Sequence, residues 1–135
     1  MFRRLDPQTL VAGQIDPSDV AAAAAAGVHT IINNRPDDEE PDQPSSAEIE
    51  AAAKAAGLAY HHIPVAGGFS QAQVEAMAEA LEQGPALAFC RSGTRSTWLW
   101  ALARARQGED GETIVRAAAE AGYDLGPILP YLKPR

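Results

Sequence analysis

The chain has a single cysteine, Cys90, in 135 residues. One thiol rules out an internal disulfide and any metal site built from several cysteines. Aromatic residues are scarce, at 6%. Alanine is abundant instead, which suits close-packed helices with small contact residues. No apolar run approaches the ~20 residues of a membrane helix, and the alanine tract Ala21–Ala26 is far too short. The opening Met1-Phe2-Arg3-Arg4-Leu5-Asp6-Pro7 lacks the apolar stretch of a secretion signal. The expected location is therefore a reducing cytoplasm, where a free thiolate persists. Positive charge is also in deficit: 11 Lys and Arg face 18 Asp and Glu, for a formal net charge of −7. That argues against general nucleic-acid binding, whose affinity comes from basic residues on phosphates, and against anionic membrane surfaces. A small anionic substrate is not excluded, because a local positive site can sit on an acidic protein.

What is present reads as one domain, residues 1–135, long enough to bury a core. Short apolar runs alternate with helical stretches. Leu10-Val11-Ala12 reads as a strand. Asp16 then caps a helix with Pro17 in its first turn, and Gly27 ends it. His29–Asn33 is a β-branched second strand. Residues 35–44 hold three prolines and five acidic residues, the pattern of a surface loop. Ser45 or Ser46 caps the next helix, which stops at Gly57. Leu58–Ile63 is a third strand, ended by Pro64. Ser70 and Gln73 form a capping box for a helix closed by Gly84. Ala86–Phe89 is a fourth strand. Helices over about Ser96–Gln107 and Glu112–Ala121 follow, with one more short turn at Ile128–Leu132. The expected class is α/β: a central, mostly parallel sheet of four to five strands with helices on both faces.

In such sheets active sites lie at the carboxyl ends of the strands, and Cys90 ends the most apolar one. After it come Arg91-Ser92-Gly93-Thr94-Arg95-Ser96 and then a helix. Backbone N–H groups at a helix start favour negative charge and favour thiolate over thiol. Cys90 is thus the candidate nucleophile, although a cysteine after an apolar strand also fits plain core packing. Arg95 is the candidate clamp, since a guanidinium holds an oxyanion by two parallel bonds. A cation in a first helical turn is otherwise badly placed. Arg91 points to solvent or steers anions inward. Gly93 lets the loop amides converge. Ser96 is expected to bond the Cys90 sulfur, to cap the helix, or both. Ser92 and Thr94 line the cavity or face water.

A general acid is harder to find. Asp37, Asp38, Glu39 and Glu40 lie in the loop after the second strand, on the sheet edge that carries Cys90; one could reach the site, but composition alone favours a solvated acidic loop. Val65-Ala66-Gly67-Gly68-Phe69 contains no acid. Of His61 and His62, one is expected to face a core and the other water. Neither has the companions that a metal site needs, so no metal and no cofactor are expected.

Four stretches carry a resemblance: Val11-Ala12-Gly13-Gln14, Thr30-Ile31-Ile32-Asn33-Asn34-Arg35-Pro36-Asp37, Tyr60-His61-His62-Ile63-Pro64-Val65, and Cys90–Ser96 running into Trp98-Leu99-Trp100-Ala101-Leu102. Together they resemble the phosphatase-like domain of bacterial beta-lactamase-hydrolase-like proteins, over about residues 8–125. The family is related to the cysteine-based dual-specificity phosphatases, and some members are described as sulfurtransferases. The resemblance implies a cysteine-phosphatase-like fold. Family members can be fused to a metal-dependent hydrolase-like domain, so a hydrolase partner in trans is a further expectation.

Loop length separates the activities. Cysteine phosphatases place five residues between cysteine and arginine. Here four separate Cys90 from Arg95, and Cys-Arg-Ser-Gly-Thr-Arg-Ser looks like the active loop of single-domain rhodaneses. The leading expectation is a sulfurtransferase that passes sulfur from a small anionic or persulfide substrate, through a Cys90 persulfide, to an external thiol. The alternative is a phosphatase working through a phosphocysteine, with Asp37 or Asp38 as its acid. The third is a non-catalytic anion-binding or redox-sensing module.

Overall fold

A computed structural model describes residues 2–132. Five strands form one sheet: β1 (Arg3–Asp6), β2 (Thr9–Ala12), β3 (Thr30–Asn33), β4 (Ala59–His62) and β5 (Ala86–Phe89). Their spatial order is β1-β2-β5-β3-β4. The pairs β2/β5, β5/β3 and β3/β4 are parallel, and β1 joins β2 antiparallel at the edge. The expected parallel sheet is therefore present, with one antiparallel strand added. Polar Arg3-Arg4-Leu5-Asp6 carries no strand pattern of its own, and pairing with β2 makes it extended.

Five α-helices cover the sheet: α1 (Pro17–Ala25), α2 (Ser46–Ala55), α3 (Gln71–Leu81), α4 (Thr94–Arg106) and α5 (Gly111–Glu120), followed by a 3₁₀ segment, Gly126–Leu132. Asp16, Ser45 and Ser70 close capping boxes on α1, α2 and α3, each satisfying otherwise orphan N–H groups. The helix after Cys90 starts at Thr94, two residues before the expected Ser96, because left-handed Gly93 (φ 93°) serves as its N-cap.

Alternation along the strands divides the core in two. Ile31, Leu87 and Phe89 pack against Val20, Ala23 and Ile49 of α1 and α2. Val11, Ile32 and Ala88 pack against Met77, Leu99, Trp100 and Ile114 of α3, α4 and α5. The central strands are buried on both faces, which fixes β5 and so the position of Cys90 at its end. The edge strand β4 differs. His61 Nε2 meets Gln83 Oε1 and His62 Nε2 meets the Arg35 carbonyl, each at 2.9 Å. Neither histidine enters a core, contrary to expectation, because β4 has a neighbour on one side only.

The edge strand β1 is locked by Asp6. Its Oδ2 accepts from Trp100 Nε1 at 2.8 Å and from Arg104 Nε at 3.1 Å, and Trp100 is 1% exposed. Asp6→Ala leaves both donors without that acceptor. It is expected to lower the unfolding free energy by about 2 kcal/mol in urea denaturation, with Asp6→Asn intermediate.

Candidate active site

The carboxyl ends of β2, β3, β4 and β5 converge on one edge, and the loops leaving them build the site. Cys90 follows β5 directly, and its N–H donates to the Ala12 carbonyl at 3.4 Å. Next to it, Gln14 N donates to the Arg91 carbonyl at 3.2 Å. The β2 turn approaches so closely that a Cβ on Gly13 would lie 3.0 Å from the Arg91 oxygen.

Cys90 is wholly buried. Its Sγ accepts a hydrogen bond from Gly93 N at 3.1 Å. The sulfur thus lies under the Gly93 amide at the start of α4. A hollow of about 1180 Å³ lies elsewhere, beside Phe69, Leu102 and Tyr131.

Arg95 stands in the first turn of α4. Its Nη1 and Nη2 bind Glu39 Oε2 and Oε1 at 2.7 and 2.9 Å, and Nη1 also donates to the Val65 carbonyl at 2.7 Å. A guanidinium has five donors in a fixed plane. Glu39 takes the end edge and Val65 takes the remaining Nη1 hydrogen. Nε–H and one Nη2–H are left, side by side on the third edge, which is a bidentate face for an oxyanion. Glu39 therefore holds Arg95 without using it up. The same contacts offset the unfavourable place of a cation in a first helical turn.

Sequence reasoning placed the acidic loop on this edge but singled out Asp37 and Asp38, and the structure puts Glu39 on Arg95 instead. Asp37 Oδ1 accepts from Ser46 N at 2.7 Å, at the start of α2. Asp38 is exposed, at φ 64°, with no side-chain hydrogen bond among the described residues. Nor is the loop merely solvated. Gln43 Oε1 accepts from Glu39 N and Glu40 N, and Gln43 Nε2 donates to the Pro36 carbonyl. Buried Arg35, 2% exposed, donates to Glu39, Gln14 and Glu40 at 2.9, 2.9 and 2.7 Å. Its charge is thereby paired, as burial requires. Arg35 and Gln14 stood in the sequence only within the stretches that carry the resemblance, and their roles depend on contacts between distant segments.

The remaining loop residues divide simply. Arg91 is largely exposed and lies 3.7 Å from Glu40. Ser92 Oγ donates to Thr94 Oγ1 at 3.2 Å on the outer side. Ser96 takes neither expected role: its Oγ is buried without a partner among the described residues, and it sits too far into the helix to cap it. The charged cluster comprises Arg35, Arg91 and Arg95 against Glu39 and Glu40. The two glutamates leave one arginine charge uncompensated, which favours the thiolate form of the adjacent Cys90.

The arginines set the ionisation of the acids. Hydrogen bonds from Arg95, helped by Arg35, pull Glu39 from the usual 4.5 down to about 2, against the opposing effect of burial. Glu40 is lowered by Arg35 and then Arg91. Glu39 in turn raises Arg95 above its usual value. A carboxyl depressed by folding stabilises the fold above its unfolded value and loses that contribution as pH falls through the folded one. The stability difference between wild type and Glu39→Gln is therefore expected to be full above pH 4.5 and to close as pH falls toward about 2, by denaturation at a series of pH values. Gly93 is constrained twice, by its positive φ and by Tyr123, whose hydroxyl would clash with an added Cβ. Gly93→Ala is expected to cost about 1–2 kcal/mol from the backbone alone. In a double-mutant cycle Tyr123→Phe should recover part of any excess, because the hydroxyl is the nearest clashing atom.

Comparison with known proteins bears on the family and the fold. The chain matches the profile of the beta-lactamase hydrolase-like protein, phosphatase-like domain, over residues 1–107. It is 41% identical over 136 residues to a beta-lactamase hydrolase-like protein of Agrobacterium fabrum and 37% identical over 133 residues to one of Xylella fastidiosa. Both alignments cover 96% of this chain and 31% of the relative, so the chain spans about a third of the length of these relatives. Among solved structures, a candidate phosphatase of Neisseria meningitidis superposes with TM-score 0.82 at 36% identity, covering 97% of this chain and 95% of that one. PTPMT1 shares the fold at TM-score 0.73 and 16% identity, covering 98% and 92%. These descriptions favour the phosphatase alternative over the sulfur transfer that led the sequence reading. The chain belongs to the phosphatase-like domain family of the beta-lactamase hydrolase-like proteins.

Proposed function

We propose that this domain is a cysteine-dependent enzyme of the phosphatase type, acting on anionic substrates whose leaving group departs without a proton. The observation that carries this reading is the buried Cys90 sulfur beneath the Gly93 N–H, beside Arg95 with one guanidinium edge free. The Cys90 thiolate attacks phosphorus, the S–P bond forms, and the ester P–O bond breaks. The loop amides and Arg95 hold the non-bridging oxygens as charge develops on them. Water then cleaves the S–P bond, releasing phosphate and restoring the thiolate.

The leaving group is restricted because the acid nearest the cradle is Glu39. Held ionised by two arginines, it is not poised to donate a proton near neutrality, where an effective general acid has a value close to the working pH. Phosphate on a phenol-like oxygen meets this condition, and phosphate on an ordinary alcohol does not.

Sulfur transfer is the second reading, favoured by the spacing of four residues between Cys90 and Arg95. A smaller cradle suits a single transferred sulfur, and sulfite or a thiolate leaves without a proton. Cys90 Sγ would attack the outer sulfur of thiosulfate, form an S–S bond and expel sulfite. An external thiol would then take the sulfur from the persulfide.

A side-by-side assay of an aryl phosphate, an alkyl phosphate and thiosulfate tests both readings. Aryl phosphate hydrolysis is expected, abolished in Cys90→Ser, with the alkyl ester at least about a hundredfold slower. Glu39→Gln should lower the rate about tenfold by loosening Arg95, whereas Asp38→Asn should leave it unchanged. Turnover of thiosulfate alone, with a gain of one sulfur mass on Cys90, would move the assignment to sulfur transfer. A folded protein inert toward all three substrates would sink both.

A further inference from the structure

Tyr123 lies beyond the stretch that matches the family profile and touches the active loop from outside. Its hydroxyl donates to the Ser92 carbonyl at 3.1 Å. The next atoms of that same peptide unit are Gly93 N–H, which donates to Cys90 Sγ at 3.1 Å. A trans peptide points its carbonyl and its N–H in opposite directions. Fixing the oxygen outward therefore fixes the hydrogen inward, on the sulfur. A hydrogen bond to a carbonyl also polarises its amide and strengthens the N–H as a donor.

We infer that Tyr123 is a positioning residue for Cys90, acting through the Ser92–Gly93 peptide to hold and polarise the amide that faces the sulfur. This rests on the reading of Cys90 as a thiolate nucleophile. The tyrosine is itself restrained. The Arg3 guanidinium lies over its ring, 5.6 Å from the centroid, and Arg3 Nη1 donates to the Ala121 carbonyl at 2.8 Å. Trp98 Nε1 binds the Asp124 carbonyl at 3.1 Å, tying the same segment to α4. Burial raises the phenol above its usual value, the nearby Cys90 adds to the rise, and Arg3 opposes it. Tyr123 thus remains a donor throughout the neutral range.

The other charged or titratable groups around this pair keep partners of their own, and Arg95, which also acts on Cys90, is common to wild type and variant. Arg95 binds Glu39, and Arg91 lies near Glu40. Arg35 spans both glutamates, and His62 meets the Arg35 carbonyl. The Asp124 carboxylate accepts from Gly126 N. Removing the phenol oxygen leaves these groups in place.

The test is a pH titration of thiolate ultraviolet absorbance on the full chain. Wild type and Tyr123→Phe are each measured against the same background carrying Cys90→Ser, which subtracts the phenols. The midpoint should rise by about half a pH unit in Tyr123→Phe, a roughly threefold loss of thiolate below it. An unchanged midpoint in a folded Tyr123→Phe overturns the inference and leaves the nucleophile standing. A wild-type midpoint equal to that of an ordinary exposed thiol overturns the nucleophile reading, and this inference with it. Should Tyr123→Phe fail to fold, Arg3→Leu frees the ring without touching the hydroxyl. A smaller rise in the same titration is then expected, and no rise counts against the inference.

Discussion

One guanidinium joins the parts of this site. Arg95 leaves the start of α4, reaches the carbonyl of Val65 after β4, and grips Glu39 in the loop after β3. Three segments far apart in sequence meet on a single planar group. A lysine would not replace it, because its point charge lacks the rigid fork that serves a carboxylate on one edge and a second anion on another. The shape of the cradle therefore depends on how Arg95 is aimed, and its aim is set by Glu39.

Glu39 is in turn held by Arg35, and this layering explains a buried arginine on an acidic protein. A buried guanidinium is expensive unless fully paired. Arg35 meets that condition with Gln14 from the end of β2 and two glutamates from its own loop. It thereby links the β2 turn to the acid loop, which Arg95 links to the active loop. The negative charge of the whole chain and the positive bias of the site are thus compatible, since most acids lie outside this cluster.

Much of the fold was legible in the sequence because it follows local rules. The caps at Asp16, Ser45 and Ser70 and the β-branched or apolar strands at Thr30–Asn33 and Ala86–Phe89 announce themselves. So does the loop after Cys90, where hydroxyls, glycine and arginine precede a helix. Strand β1 was not legible, because its partners Val11 and Leu10 and its lock on Trp100 lie elsewhere in the chain. The same holds for the site. Cys90, Gly93 and Arg95 share one short motif. Choosing Glu39 over Asp37 and Asp38 depends on the path of a proline-rich loop, and composition does not encode that path. The unpartnered Ser96 hydroxyl follows from a helix that begins two residues early. The contact of Tyr123 with Ser92 spans 31 residues, and no periodicity carries that distance.

The two duties available to the acid loop exclude each other. A carboxylate that orients an arginine must stay ionised, and two arginines see to that here by pulling Glu39 to about 2. A carboxyl that protonates a leaving group must hold a proton near the working pH. One side chain in one place does not do both. Asp37 is occupied at the start of α2, and Asp38 faces solvent. The segment after β4, Val65–Phe69, carries no acid and contributes a carbonyl to Arg95. The site has thus invested its available carboxylate in geometry and not in proton transfer. Under the function proposed here, the chemistry that fits such a site ends with a stable anion leaving, whether that anion is a phenolate or a sulfur species. This constraint lies in the leaving group and not in the nucleophile, so a cysteine-phosphatase fold can satisfy it with either substrate class.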